Sequence, residues 1–232
     1  MPVTLVASNS LFSSMASISF SAVVLAAGYS TRMGRDKALL HADGVPMWQR
    51  QRDVLRRAGA VEIFLSARAE QWWAASAVGY TAVVLDAAGA PAGAVGHDRV
   101  VMSGGPVGSG PLAGLVAGLD AATQPWLAVL AIDLPAITPE WFSRLLAGCR
   151  PGVGRVGRHH DYFEPLAAIY PQEMKVLAEA AWRRGDLSLQ RLLTAAVAAG
   201  LMSVEPIGER AARGLQNWNE PRSVPSGDPH GD

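Results

Sequence analysis

Four short apolar runs, Ala22 to Ala26, Glu62 to Ser66, Thr81 to Leu85 and Trp126 to Ile132, alternate with longer stretches of helical composition. Runs of this length read as buried strands, and their alternation with helices favours β-α-β units around a parallel sheet. Crossovers in such a sheet are right-handed. Pro46 suits the first turn of a helix running to about Ala58, with Gly59 as its stop. Met47, Val54, Leu55 and Ala58 share one face of that helix, which leaves Arg50, Arg52, Arg56 and Arg57 mainly on a solvated side. Pro111 to Leu119 opens another helix, whose small residues permit close packing on the sheet.

Between Asp86 and Gly110 the chain is rich in Gly, Ala and Pro and reads as one long loop, of a length that is often functional. Beyond Pro151 the pattern changes to a hairpin around Arg158-His159-His160-Asp161 and a strand to Tyr170. Helices near Gln172 to Trp182 and Leu187 to Ala199 follow, then a short strand from Leu201. The chain thus reads as an N-terminal extension over 1–20, one domain over 21–224 and a disordered Pro- and Gly-rich tail over 225–232.

A length of 232 residues suits one large α/β domain. Lys plus Arg and Asp plus Glu number 20 each, so no overall basic field directs the chain to nucleic acid or an anionic membrane. Any phosphate recognition must be local. Cys149 is the only cysteine, which excludes an intramolecular disulfide and a multi-cysteine metal site and fits a reducing cytoplasm. The first twenty residues lack Lys and Arg and so lack the charged start of a secretory signal.

Candidate chemistry concentrates where two apolar runs end. After Ala22 to Ala26 the chain reaches Gly28 and Gly34, whose backbone can approach phosphate oxygens closely, together with Arg32 and Lys37. The spacing matches neither the Walker A loop nor the dinucleotide fingerprint. The bland alternative is a strand and turn with solvated Arg and Lys. Trp126 to Ile132 runs into Asp133-Leu134-Pro135, so a carboxylate ends an apolar strand at the same sheet edge. Asp133 is a candidate ligand for Mg2+, which favours carboxylate oxygens, waters and substrate phosphates. The alternative is a turn former before the Thr138-Pro139-Glu140 helix start. His159, His160, Asp161 and Glu164 could suggest a transition-metal cluster, but adjacent histidines in a hairpin are expected to point in different directions, which favours an exposed turn. Trp72-Trp73 reads as packing against the sheet or a partner in preference to base stacking. No nucleophile arrangement is evident, since Gly-x-Ser-x-Gly is absent and Cys149 has no histidine near it in sequence.

Leu25-Ala26-Ala27-Gly28-x-Ser30-x-Arg32-Met33-Gly34-x-Asp36-Lys37 resembles the signature of sugar-phosphate and cofactor nucleotidyltransferases. Asp36-Lys37-Ala38-Leu39-Leu40 is most similar to molybdenum cofactor guanylyltransferases, and Gly110-Pro111-Leu112-Ala113-Gly114 is similar to the same family. The resemblance spans about Ala22 to Val224. It implies a Rossmann-like three-layer α/β/α domain with a mostly parallel central sheet. The implied reaction is transfer of GMP from GTP to molybdopterin, with release of pyrophosphate. It further implies catalytic Arg32, Lys37 and Asp133, and a nucleotide site of Leu25, Ala26, Ala27, Gly28, Ser30, Arg32, Gly34, Lys37, Gly110 and Pro111. The family also carries an Asp before its Gly-Pro motif that helps hold the nucleotide. Here that is Asp86 or Asp98, with Asp86 favoured because it directly follows a strand.

Asn217-Trp218-Asn219-Glu220-Pro221 resembles the family's Asn-x-Asn-Thr-Pro segment, which makes Asn219 a second metal candidate beside a capping alternative. Glu164-Pro165 stands where the family has His-Pro or Gln-Pro in its acceptor strand. Ala27 stands where guanylyltransferases carry Gly and cytidylyl relatives carry Ala. Those departures keep two alternatives open: a cytidylyl- or sugar-phosphate nucleotidyltransferase, and a non-catalytic nucleotide-binding cofactor-delivery protein; the resemblance also implies molybdoenzyme or cofactor-biosynthesis partners. Nucleic acid and membrane are not expected partners.

Overall fold

A computed structural model describes residues 18–28, 36–68, 71, 73–74, 77–86, 100–103 and 110–218, with the strands at 82–86 and 100–103 described by their backbone alone. Strand β1 (Ser21–Leu25) is followed by a single 3-10 turn (Lys37–Leu39), the ribbon β2 (His41–Ala42) and β3 (Val45–Pro46), and helix α1 (Met47–Arg57). Next come β4 (Glu62–Arg68), β5 (Ala82–Asp86), β6 (Val100–Ser103), α2 (Gly110–Ala121), β7 (Trp126–Ala131) and α3 (Pro139–Leu146). The remainder is β8 (Gly154–His159), β9 (Tyr162–Phe163), β10 (Ala167–Pro171), α4 (Met174–Arg183), α5 (Leu189–Ala198), β11 (Met202–Pro206) and the short α6 (Glu209–Arg213). The four expected strands and the elements beyond Pro151 form within a residue or two of their sequence positions.

The main sheet has the order β11-β8-β10-β7-β1-β4-β5-β6, with β9 attached to β8. β1 pairs in parallel with both β4 and β7, and β4, β5 and β6 continue in parallel. β10 runs antiparallel between β7 and β8. The sheet is therefore mostly parallel, as expected.

Alternation along β1 sends Ala22 and Val24 to one core and Val23 and Leu25 to the other. The first core includes Met47 and Leu55 of α1 and Phe142 and Leu145 of α3; the second includes Leu112 and Leu115 of α2, Met174 of α4 and Leu193 of α5. Helices thus cover both faces, giving three layers. Phe20 is buried and its carbonyl accepts from Val61 N.

Two expectations are corrected. The segment from Asp86 to Gly110 contains β6, whose Val100 to Ser103 pair with Val83 to Asp86. Gly- and Ala-rich flanks masked this short strand from periodicity. Arg52 is not solvated: it is 7% exposed, bonded to Val78 O and Asp53, and lies over the Trp48 ring. Its aliphatic stem packs while its guanidinium finds local acceptors.

From β1 the sheet grows through β4, β5 and β6, and α2 then returns the chain so that β7 joins the opposite side of β1. Strand order reverses between β1 and β7, which opens a crevice beyond their carboxyl ends. α2 sits close because Gly118 faces Leu127 and Val23, where an added Cβ would lie 3.0 Å from Leu127 Cδ2 and 3.1 Å from Val23 Cγ1. We expect Gly118→Val to destabilise the fold by about 1–3 kcal/mol through overpacking, read as a lower urea midpoint. An unchanged midpoint would contradict this close helix-sheet contact.

Candidate active site

Past Leu25 the first turn is tied down from below. Arg68, the last residue of β4, donates to Ala27 O at 2.6 Å and Gly28 O at 2.7 Å. Ala26 N bonds Ser66 O, and Gln71 Nε2 bonds Ala26 O. Asp36 then caps the 3-10 turn by accepting from Ala38 N at 3.1 Å. Its other oxygen accepts from Gln71 Nε2 at 2.7 Å and Trp73 Nε1 at 2.6 Å. Both carboxylate oxygens are engaged in fixing backbone, which aims the next residue. Lys37 Nζ meets Asp133 Oδ2 at 2.8 Å, with both side chains mostly buried.

Asp133 lies in the turn after β7, six residues upstream of α3, whose cap is Thr138. Asp133 is therefore not that helix's cap. Gln51 of α1, fully buried, donates to Ala131 O at 3.0 Å and Leu134 O at 2.9 Å, bracketing Asp133. Arg50 Nε adds a bond to Pro135 O at 2.7 Å. The half-buried Arg50 thus serves structure and is not simply solvated. Trp218 N donates to Asp133 O at 2.9 Å, so the segment leading to Asn219 reaches the same turn.

These pieces enclose a cavity of about 270 Å³ at the switch point. Leu25, Ala26, Ala27, Gly28 and Lys37 form one wall and Asp133 another, with Gly110, Pro111 and Gly114 of α2 closing a third side. Gly110 has φ +63°, a left-handed conformation that favours glycine, and so starts α2 at the rim. The cavity brings together the sequence-predicted Leu25, Ala26, Ala27, Gly28, Lys37, Gly110, Pro111 and Asp133. Ser30, Arg32, Gly34, Asp98, Asn219 and Trp72 lie outside the described residues, as do 1–17 and the tail. Asp86 ends β5 at the same sheet edge, described by its backbone alone. Asn217 is exposed beside the buried Trp218.

β10 runs antiparallel to β7, which brings Leu166, just before it, to the cavity; Ala131 N bonds Leu166 O at 2.8 Å. Glu164 is half-buried just before it. Burial raises its carboxyl above the ordinary range, and the opposing pull of His159 is smaller. Burial likewise pushes the Cys149 thiol up to about 12, against Arg155's charge, so it is a poor nucleophile at neutral pH. Trp73 is buried and holds Asp36, in line with a packing role.

The expected exposed turn forms around His159 and His160, but the rings do not diverge: both Nε2 atoms converge on Glu209 Oε1 at 3.4 and 3.6 Å. His160 has φ +51°, which breaks the pleat alternation that would have separated the rings. Sequence reasoning also missed Gln51, Ser66, Arg68 and Gln71. Their roles depend on register and helix placement, and a lone Gln or Arg near an apolar run carries no such signal.

The described residues contain no helix long and apolar enough to cross a membrane. A family model, the MobA-like NTP transferase domain, matches residues 22–199. The chain belongs to this family. Among MobA-like NTP transferases, a protein of Opitutus terrae named "Probable molybdenum cofactor guanylyltransferase" is 43% identical over 201 residues, covering 85% of this chain and 89% of its own. A Pseudomonas putida protein named molybdenum cofactor guanylyltransferase is 30% identical over 209 residues, covering 88% and 95%. Molybdopterin-guanine dinucleotide biosynthesis protein A of Archaeoglobus fulgidus has the same fold, with a TM-score of 0.60 at 21% identity over 88% of this chain and 94% of that one.

Within this MobA-like site, Asp36→Ala should lower stability by about 1–3 kcal/mol, because buried donors of Trp73 and Gln71 lose their acceptor. Triphosphate binding should weaken with it, since Lys37 loses its anchor. Thermal melting and isothermal titration check both, and an unchanged affinity would contradict the anchoring role.

Proposed function

We propose that this chain transfers GMP from GTP to the terminal phosphate of molybdopterin, releasing pyrophosphate. The observation that carries the reading is the Lys37–Asp133 pair across the switch-point cavity, with glycine-bearing backbone on its floor. The 43% identical relative's name supports the guanylyl donor and the molybdenum cofactor acceptor.

The acceptor phosphate is already anionic, so its oxygen attacks the α-phosphorus without a side-chain base. The α–β bridging bond breaks and pyrophosphate takes its electrons. Catalysis then consists of positioning and charge neutralisation. Backbone at Ala26 to Gly28 cradles the triphosphate. Lys37, on a mobile stem with three donors, shifts its charge from Asp133 towards phosphate. Arg32 adds a bidentate fork in the same role. Asp86 is favoured over Asp98 for nucleotide contact.

Asp133 fits a hard divalent ion: it is a strand-end carboxylate facing the cavity, whereas Asp36 already has both oxygens bonded. Asp133, together with Asn219, would hold Mg2+. Magnesium supplies charge neutralisation on the donor phosphates when bound. The neutral net charge and the lone, half-buried cysteine support a cytoplasmic enzyme handling small molecules.

Asp133→Asn should fold normally yet lose turnover by orders of magnitude, about several kcal/mol in the barrier. Pyrophosphate release at saturating Mg2+ measures it, and parental turnover would remove Asp133 from the mechanism.

Ala27 lines the cavity, and its methyl group favours a cytidylyl donor as the second reading. Competition among GTP, CTP and ATP, repeated with Ala27→Gly, separates the two. GTP preference in the parent is expected. CTP preference that moves towards GTP in the variant would overturn the guanylyl assignment.

A further inference from the structure

We propose a second metal site, distinct from the nucleotide cavity, in which His159, His160 and Glu209 bind a transition-type divalent cation such as Zn2+. The donor atoms of these three residues all lie within 4.8 Å of one another. His159 Nε2 is 3.4 Å and His160 Nε2 3.6 Å from the same Glu209 oxygen. Bonds of about 2.0–2.1 Å to nitrogen and 2.0–2.2 Å to oxygen in a tetrahedral site place ligand atoms roughly 3.3–3.5 Å apart. The observed separations match two edges of that tetrahedron, and its fourth vertex is left for water or another ligand.

The backbone explains how adjacent histidines come to share a target. His160 sits in the β8–β9 turn at φ +51°, a left-handed conformation uncommon outside glycine. The ring centroids of His159 and His160 are consequently 4.2 Å apart. Arg158 Nε holds the turn through His160 O at 3.0 Å. Glu209 arrives from a separate element: β11 pairs in parallel with β8, and Ile207 N extends the ladder to Arg158 O at 2.9 Å. The buried Ile207 then fixes the chain two residues before Glu209.

Imidazole nitrogen selects a Zn2+-class ion over magnesium, which prefers oxygen ligands. The site lies at the carboxyl end of β8, roughly two strand spacings or ~10 Å from β7, on the acceptor side.

The test titrates untagged, full-length protein with Zn2+ by calorimetry and follows Co2+ substitution by visible absorption. The parent should bind one equivalent with Mg2+ in excess and give the intense bands of four-coordinate Co2+. His160→Ala and Glu209→Gln should each weaken Zn2+ binding at least tenfold without loss of fold by circular dichroism. Asp133→Asn should bind Zn2+ as the parent does, which separates this site from the nucleotide metal and makes the result independent of the proposed reaction. The proposal is overturned if the parent fails to bind Zn2+, if both cluster variants bind as tightly as the parent, or if binding is lost in Asp133→Asn instead.

Discussion

The ion pair between Lys37 and Asp133 joins the two halves of the sheet's switch point, and the architecture around it serves to present those two charges. Parallel pairing of β1 with β4 and β7 brings both strand ends to one edge. Neither charge would hold its place on a strand end alone. A carboxylate and an ammonium mostly removed from water cost desolvation free energy that geometry must recover. In this chain the geometry comes from a ring of neutral and charged donors aimed at backbone carbonyls and at Asp36.

Three elements supply that ring. α1 reaches under the β7 turn with Gln51 and Arg50, the stretch after β4 holds Asp36 through Gln71 and Trp73, and Arg68 fixes the carbonyls of Ala27 and Gly28. Gln51 Oε1 has no hydrogen-bond partner among the described residues. An unpaired buried acceptor carries a penalty, and two carbonyl bonds at the Asp133 turn offset it. This order of commitment suits a MobA-like transferase, whose chemistry asks for fixed charge and fixed backbone more than for a nucleophile.

Much of this was legible in the sequence because burial on both faces of a parallel strand leaves an unbroken apolar run. Each run's end then marks the edge where chemistry collects. Lys37, Asp133 and the Gly110-Pro111 helix start were readable in that way, as was the close packing permitted by small residues in α2. β6 was not, because four residues between Gly-rich flanks give too little pattern. Arg68 and Gln51 were not, because their function lies in which carbonyl they meet across the sheet. The convergence of His159 and His160 was misread because strand alternation fails at a left-handed residue, and sequence pattern gave no sign of φ +51° at a histidine.

The most direct test of the account is a crystal structure with Mn2+ and a non-hydrolysable GTP analogue. The account predicts an anomalous Mn2+ peak at Asp133, triphosphate oxygens against the Ala26 to Gly28 backbone, and Lys37 Nζ turned from Asp133 to phosphate. Triphosphate bound elsewhere, with the Lys37–Asp133 pair intact and no metal at Asp133, would contradict it.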